Sequence, residues 1–241
     1  ATFGSYSRYT LPPPDFSNIT EIERKAIIGA AEKSGGGKVY LEYEPKVAAI
    51  GAGLDIFSPI ASMVIDMGGG TSDIAVLSLG DIVASESIRV AGDKMNADIA
   101  GYVKREHGLQ IGERTAEQIK IKIGTATPLD EPEEMDVRGR DNFTGMPRTI
   151  TLNANEVEAA MHDTLAQIVN AAHQVLSVIQ PELAADIIDR GIVLTGGGAL
   201  LRGMDKLISG HLGVPVMISE SPLDNVAVGA GKLLEHMHGV Q

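Results

Sequence analysis

The chain has 241 residues, of which 44% are hydrophobic, which is enough for one sizeable core with a smaller subdomain beside it. Acidic residues outnumber basic ones by 32 to 20, and no Lys/Arg-rich run occurs, so nucleic acid is not an expected partner. The absence of cysteine excludes disulfides, and no apolar run approaches the roughly 18 residues that cross a bilayer, which together are typical of a cytoplasmic protein.

Residues 1–16 stand apart from the rest of the chain. The run Pro12, Pro13 and Pro14 favours an extended, polyproline-like path, and we expect this segment to be poorly ordered. Thr20 followed by Glu23 forms a capping box, which predicts a helix that residues 34–37 terminate.

Glu44 lies where a predicted strand, residues 39–43, meets a predicted helix, residues 46–53. Pro45 supports this boundary, because proline is favoured in the first turn of a helix. Such a junction faces the cleft in open α/β sheets, so the Glu44 carboxylate could orient a water molecule. An acidic residue at a helix start also has a purely structural role, and spacing alone leaves both interpretations open.

Residues 63–76 follow the pattern strand, glycine turn, strand. Asp66 ends the first strand, and Gly68, Gly69 and Gly70 form the turn before Thr71. Consecutive glycines let backbone N–H groups surround an anion, and a hydrated Mg²⁺ would reconcile a phosphate with the nearby carboxylate. An ordinary hairpin explains the same pattern when the segment is taken alone.

The middle of the chain predicts a further strand at residues 82–90 and an amphipathic helix at residues 93–106. Residues 112–151 are more polar and irregular, and we expect them to form an inserted subdomain. Its short helix, residues 115–123, places Glu117 and Lys120 on one face, where a solvated ion pair is the commoner arrangement.

A second glycine turn follows a buried strand at residues 192–194. Thr195 leads into Gly196, Gly197 and Gly198, and a helix is predicted to open through Ala199, offering N–H groups and a positive dipole end to a ligand. This turn is preceded by a long helix, residues 155–180, that Pro181 is expected to stop. It is followed by a helix at 200–212, a strand at 214–219 and a closing helix at 225–238, which together favour an α/β sheet.

Several of these segments closely resemble the MreB/Mbl family of bacterial actin homologues. The resemblance lies in residues 43–53 (YEPKVAAIGAG), 64–75 (VIDMGGGTSDIA), 112–120 (GERTAEQIK), 138–141 (RGRD) and 189–201 (DRGIVLTGGGALL). It implies an α/β, actin-like ATPase (ribonuclease H-like) fold, mainly the second lobe with a smaller inserted α+β subdomain.

The resemblance also implies a division of the chain. Residues 17–62 would be a remnant of the first lobe, and residues 63–94 with 159–221 would form the large subdomain of the second lobe. Residues 95–158 would be the small inserted subdomain, and residues 222–241 a C-terminal helix that returns toward the first lobe. Residues 1–16 match nothing in the family.

The family's functional residues can be carried over to matching positions, with ATP and Mg²⁺ as cofactors. Asp66 would hold the hydrated magnesium, and Glu44 with Thr71 would position the attacking water. The β- and γ-phosphates would be bound by the backbone of Gly68, Gly69 and Gly70. The ribose and base would be contacted by Glu117, Gln118, Ile119 and Lys120, and the adenosine by Gly196, Gly197, Gly198 and Ala199.

The resemblance implies an ATP-binding cytoskeletal protein that forms filaments in the cytoplasm, at the inner face of the cell membrane. Its partners would be further copies of itself, paralogous filament proteins and the cell-wall elongation machinery, with which it would direct cell-wall synthesis and rod shape. The family's first phosphate loop and membrane-binding loop have no counterpart in this chain. We therefore expect weak ATP binding and little or no hydrolysis, and association through an exposed face at residues 22–31. The alternatives are a sugar-kinase or chaperone-type ATPase, and a truncated interaction fragment that binds full-length filaments without ATP turnover.

Overall fold

The computed structural model describes residues 9–11, 21–34 and 39–238. Its strands are β1 Tyr9–Leu11, β2 Leu41–Tyr43, β3 Ser62–Met67, β4 Ser72–Ser78, β5 Asp81–Ile88, β6 Leu109–Gln110, β7 Glu134–Asp141, β8 Pro147–Asn153, β9 Ile192–Thr195 and β10 Val216–Ile218. Its helices are α1 Glu21–Lys33, α2 Glu44–Gly51, α3 Gly92–His107, α4 Glu113–Ile123, α5 Ala154–Val178, α6 Pro181–Arg190, α7 Met204–Leu212 and α8 Asn225–His238.

A five-stranded sheet in the order β10-β9-β3-β4-β5 forms the centre of the molecule. Strand β3 pairs in parallel with β9 and antiparallel with β4, and all of its residues are buried. A strand covered on both faces needs apolar side chains on both, which explains the consecutive apolar residues Met63, Val64 and Ile65 in β3.

The two faces of this sheet contribute to different clusters of buried residues. Met63 and Ile65 belong to the large core that includes buried residues of α3 and α5. Val64 points to the opposite face and packs in a smaller cluster with Ala49 of α2. Helix α2 packs against β3 and β4 on this face and also against α8.

The long helix α5 begins at Ala154, one residue before the predicted start, and Asn153 and Glu156 form a reciprocal capping box there. Pro181 does not simply stop it: after Ile179 and Gln180, Pro181 opens the separate helix α6, which the sequence analysis did not predict. Proline is accepted at the first position of a helix, so the same residue can end one helix and begin another.

The inserted region contains a three-stranded sheet, β6-β7-β8, with α4 packed against β7. The expectation that residues 112–151 are largely irregular was therefore wrong for β7 and β8. Each of these strands has one fully buried apolar residue, Val137 in β7 and Leu152 in β8, while most of the others are partly or fully exposed. Such a half-exposed antiparallel pair has the polar composition that is also typical of loops.

At the N-terminal end, β1 pairs in parallel with β2. The expected poor order of residues 1–16 is thus not found at Tyr9–Leu11, and the remainder of that segment lies outside the described residues, as does Thr20 of the predicted capping box. Among the helices described, none combines the length and the apolar character needed to span a membrane.

Candidate functional site

The two glycine turns meet because β3 and β9 are neighbouring parallel strands. Asp66, near the end of β3, is the direct cross-strand partner of Thr195, at the end of β9. Parallel strands end at the same edge of a sheet, which is where ligands bind in open α/β folds. The turn of residues 68–71 and the turn of residues 196–198 therefore leave this edge side by side.

The approach of the two turns depends on glycine. Gly196 has φ 79° and ψ 170°, a conformation that is essentially restricted to glycine. A Cβ atom at this position would lie 2.4 Å from the carbonyl oxygen of Met67 and 2.5 Å from Asp66 Oδ1. At Gly198 a Cβ would lie 2.6 Å from Met67 Cβ, so both glycines are required for this packing.

A pocket of about 570 Å³ opens between the two turns and helix α4. Its walls come from the first turn, the start of α3, one face of α4 and the second turn. The lining residues are Gly68, Gly69, Gly92, Asp93, Met95, Glu117, Lys120, Ile121, Gly124, Gly197, Gly198, Leu200, Leu201, Arg202 and Leu223.

A second pocket of about 280 Å³ adjoins the first and shares Gly68, Gly197 and Leu223 with it. The acidic residues of the site gather in this smaller pocket. It is lined by Glu44, Asp66, Gly68, Thr71, Asp73, Gly196, Gly197, Pro222, Leu223 and Val226.

Three carboxyl groups, those of Glu44, Asp66 and Asp73, line the smaller pocket, and burial raises the pKa of each of them. Burial raises the pKa of Asp66 to about 7, with Glu44 and then Asp73 adding to the effect. Burial and the charge of Asp73 also raise the pKa of Glu44. An uncompensated cluster of this kind favours a cation, which would relieve the repulsion.

The arrangement fits a hydrated magnesium ion. No group of three or more acidic or histidine side chains in the described residues is close enough together to hold a metal directly. Mg²⁺ keeps several of its waters and needs only one or two protein carboxylates. Asp66, at the mouth of the first turn, fits that requirement.

Not every predicted backbone donor is available. The N–H of Gly68 donates to Thr71 O at 2.9 Å, and the N–H of Gly196 donates to Pro222 O at 2.9 Å. Within the described part of the chain, no backbone acceptor is found for the N–H groups of Gly69, Gly70, Gly197 and Gly198. Two donors from each turn thus remain for a ligand.

Glu117 and Lys120 of α4 both line the larger pocket, where Lys120 is half-buried and Glu117 remains exposed. Lys120 Nζ donates to Gly92 O at 2.9 Å, and burial lowers the pKa of Lys120, against the opposite effect of the nearby carboxylates. Four other predicted residues line neither pocket: Gly70 and Gln118 are exposed, and Ile119 and Ala199 are fully buried in the core.

The second turn does not open directly into a long helix. Residues Gly197–Leu200 form one 3₁₀ turn, and α7 begins only at Met204, so the helix predicted for residues 200–212 starts later than expected. A 3₁₀ turn still leaves N–H groups at its start, but it offers little of the dipole of a long helix.

The sequence analysis also missed several pocket residues. The backbone of Asp93 donates to Gly69 O at 2.8 Å and that of Gly92 to Gly68 O at 3.2 Å, so the start of α3 holds the first turn. Arg202 and Leu223 complete the larger pocket from loops after the second turn. Arg202 follows the glycine motif directly in the sequence, which is the one signal that could have found it.

These features define the actin-like α/β fold, and comparison with solved structures bears this out. A structure of MreB 5 of Spiroplasma citri bound to AMPPNP superposes with a TM-score of 0.91 at 34% identity, covering 98% of this chain and 70% of that chain. The MamK double helical filament superposes with a TM-score of 0.76 at 20% identity, covering 95% of this chain and 68% of that one, which shows the fold alone.

The family described as MreB/Mbl protein matches residues 12–241, and the chain belongs to it. The cell shape-determining protein Mbl of Bacillus subtilis (strain 168) is 59% identical over 221 residues, which are 92% of this chain and 66% of that protein. The cell shape-determining protein MreB of Escherichia coli (strain K12) is 50% identical over 222 residues, 91% and 64% of the two chains. The chain thus spans slightly less than two thirds of the length of these curated relatives.

Proposed function

We propose that this chain binds Mg²⁺-ATP in its two joined pockets and serves as the nucleotide-binding unit of an actin-like cytoskeletal protein. The observation that carries the proposal is the register between Asp66 and Thr195, which places both glycine turns around one hollow. The larger pocket, at about 570 Å³, lies within the roughly 300–1,000 Å³ range that is usual for small-molecule sites.

The proposed placement follows the chemistry of the two pockets. The ribose and base would occupy the larger pocket beside Glu117 and Lys120. The phosphates would lie between the turns, where the N–H groups of Gly69, Gly70, Gly197 and Gly198 can donate to them. Magnesium, when bound, would neutralise phosphate charge, and Asp66 would hold its water shell.

Glu44 would then act on the attacking water. Its raised pKa makes it a better proton acceptor than an ordinary glutamate, and it lines the smaller pocket together with Thr71. Phosphoryl transfer depends mainly on positioning, so hydrolysis by this chain is expected to be slow and to fall further in Glu44→Gln.

The cellular role is proposed from the relatives. Mbl and MreB are cell shape-determining proteins, and the more distant MamK forms a double helical filament. We infer that this chain takes part in a filament of its own copies or of paralogous proteins, in the cytoplasm at the inner face of the membrane. There it would guide the cell-wall elongation machinery.

Equilibrium dialysis with labelled ATP tests nucleotide binding. We expect binding that is stronger in Mg²⁺ than in EDTA, with the Mg²⁺ effect lost in Asp66→Asn. Asp189→Asn is a matched control, because Asp189 is an exposed aspartate on α6 outside both pockets. Electron microscopy of the nucleotide-bound sample then tests filament formation.

The competing interpretation is an interaction fragment that needs no nucleotide. In that case the chain would co-sediment with filaments of a full-length relative, and labelled ATP would not be retained in either buffer. This result would refute the proposed nucleotide site, whereas retention that depends on Mg²⁺ and on Asp66 would support it.

A further inference from the structure

Asp73 is a buried carboxylate that the proposed function does not use. It lies in β4 directly opposite Asp66 and is only 2% exposed. Its Oδ2 accepts a hydrogen bond from Thr71 Oγ1 at 3.0 Å, and its Oδ1 accepts one from Ser87 Oγ. Each carboxylate oxygen therefore receives one hydroxyl hydrogen.

The sheet fixes this arrangement. Ser87, in β5, is the direct cross-strand partner of Asp73 and is itself buried. A carboxylate held by a hydroxyl on one oxygen cannot rotate freely, so its other oxygen stays directed at Thr71. Asp73 thereby sets the direction in which the Thr71 hydroxyl points.

The direction of this hydroxyl decides what Thr71 offers to the smaller pocket. A threonine hydroxyl has one hydrogen to donate and two lone pairs that accept. Since the hydrogen is given to Asp73, only the lone pairs are left for a ligand. Glu44 and Asp66, when ionised, are also acceptors only, so these three side chains present acceptors to the pocket.

We propose that Asp73, held by Ser87, is a positioning residue that fixes Thr71 as an acceptor, so that the smaller pocket recognises the water shell of a divalent cation. Water molecules bound to a cation direct their oxygens toward it, so their hydrogens point outward as donors. The acceptor oxygens of Glu44, Asp66 and Thr71 can therefore accept hydrogen bonds from them. This inference rests on the proposed function and adds to it the group that orients Thr71.

The substitution Asp73→Asn separates orientation from shape. The amide has one acceptor oxygen where the carboxylate has two, so only one of the two hydroxyls can keep its acceptor. Thr71 is only half-buried and lines the smaller pocket, where water can accept its hydrogen. Thr71 is therefore the residue that we expect to turn, and its hydrogen would then point into the pocket.

Removing the competing hydroxyl should reverse this effect. In Asp73→Asn combined with Ser87→Ala, the amide oxygen is free to accept from Thr71 again. The single and the double variant carry the same net charge. A difference between them therefore reports the orientation of Thr71 and not the loss of a negative charge.

The experiment is equilibrium dialysis of labelled AMPPNP against the full chain in Mn²⁺ and in EDTA. The measured quantity is the factor by which Mn²⁺ increases the affinity. We expect Asp73→Asn to reduce this factor about tenfold, since a charge and a hydrogen bond are lost together. The double variant is expected to recover at least about threefold of it.

Two further variants keep the test decisive if Asp73→Asn does not fold. Thr71→Val preserves both Asp73 and Ser87 and removes only the hydroxyl, so the Mn²⁺ factor should fall by at least about threefold. Thr71→Ser restores a hydroxyl on the same carbon and should stay within about twofold of the original chain.

The outcomes are distinct. If the unmodified chain shows no stimulation by Mn²⁺, the proposed function and this inference are both refuted. If stimulation is present but the double variant is no better than Asp73→Asn, or Thr71→Val leaves the factor unchanged, the inference alone is overturned. Recovery in the double variant, together with loss in Thr71→Val, supports it.

Discussion

The substitution Gly196→Ala tests whether the contact between the two turns holds the site together. The new Cβ atom would lie 2.4 Å from Met67 O, 2.5 Å from Asp66 Oδ1 and 2.7 Å from Met67 C. Two of these atoms belong to the backbone of β3, which is paired on both sides and cannot move away easily. The strain must therefore appear as lost stability or as a displaced second turn.

The magnitude follows from two costs. Holding alanine at φ 79° and ψ 170° costs about 1–3 kcal/mol, because this region is essentially restricted to glycine. Overpacking against the Met67 carbonyl adds about 1–3 kcal/mol. The free energy of unfolding should therefore fall by about 2–6 kcal/mol, which lowers the Tm of a chain of this size by at least about 4 °C.

The assay combines thermal unfolding with AMPPNP binding in Mg²⁺. Gly210→Ala is the matched control, since Gly210 lies in α7 with no atom within 4 Å of an added Cβ. Alanine is the better helix former, so this control should be neutral or stabilising by up to about 1 kcal/mol. Gly196→Ala should lose both stability and nucleotide affinity.

The reasoning would be refuted if Gly196→Ala kept the Tm and the affinity of the unmodified chain. The second turn would then have room that the packing against Met67 and Asp66 does not provide. A loss of stability with normal affinity in the folded fraction would separate the two claims. It would leave the packing argument intact and contradict the placement of phosphate at this turn.

Three further predictions concern Asp66, Lys120 and Asn225. Folding raises the pKa of Asp66 from its ordinary value of 3.8 to about 7, so the folded chain keeps this proton at pH values where the unfolded chain has lost it. In metal-free buffer, the free energy of unfolding should therefore fall as the pH rises from about 4 to about 7, by at most about 4 kcal/mol for this residue. Asp66→Asn should remove the part of this fall that comes from Asp66, leaving the contributions of Glu44 and Asp73, and should raise the Tm at pH 8 but not at pH 4. Equal pH profiles of the two chains in chemical denaturation would contradict the assignment. Lys120→Ala removes the hydrogen bond to Gly92 O and a positive charge from the larger pocket. The affinity for AMPPNP, measured by calorimetry, should therefore fall about tenfold. An unchanged affinity would indicate that the nucleotide binds elsewhere. Asn225→Ala removes the hydrogen bond that Asn225 Nδ2 donates to the buried Thr195 Oγ1 at 2.7 Å. The free energy of unfolding, measured by urea titration, should therefore fall by about 1–3 kcal/mol. A change below about 0.5 kcal/mol would show that this bond does not hold α8 in place.

Local rules predicted the elements whose signals lie within a few neighbouring residues. Pro45 and Glu44 mark the start of α2, and the run of apolar residues before Gly68 marks β3, as the structure shows. The closing helix has the predicted bounds, Asn225–His238. In each case the residues that fix the element are themselves inside it or beside it.

Prediction failed where tertiary contacts decide. The polar strands β7 and β8 were taken as irregular, because only the sheet itself supplies the one buried face that makes them strands. Helix α6 was not predicted because it begins at Pro181, and a proline is compatible both with the end of one helix and with the start of the next. A pattern within one segment cannot distinguish these cases.

The same limit applies to the site. Glycine spacing in the sequence predicted both turns. It could not show that the N–H groups of Gly68 and Gly196 already donate hydrogen bonds to Thr71 O and Pro222 O. The second of these bonds joins two segments that are distant in the sequence and meet only in the folded chain. Nor could it place Gly92 against the first turn.

The central claim is that both glycine turns bind one nucleotide, and amide chemical shifts test it most directly. In a ¹⁵N-labelled chain, titration with Mg²⁺-AMPPNP should shift the backbone amides of Gly69, Gly70, Gly197 and Gly198 together, along one saturation curve. Shifts confined to one of the two turns, or to residues outside both turns and both pockets, would contradict the account.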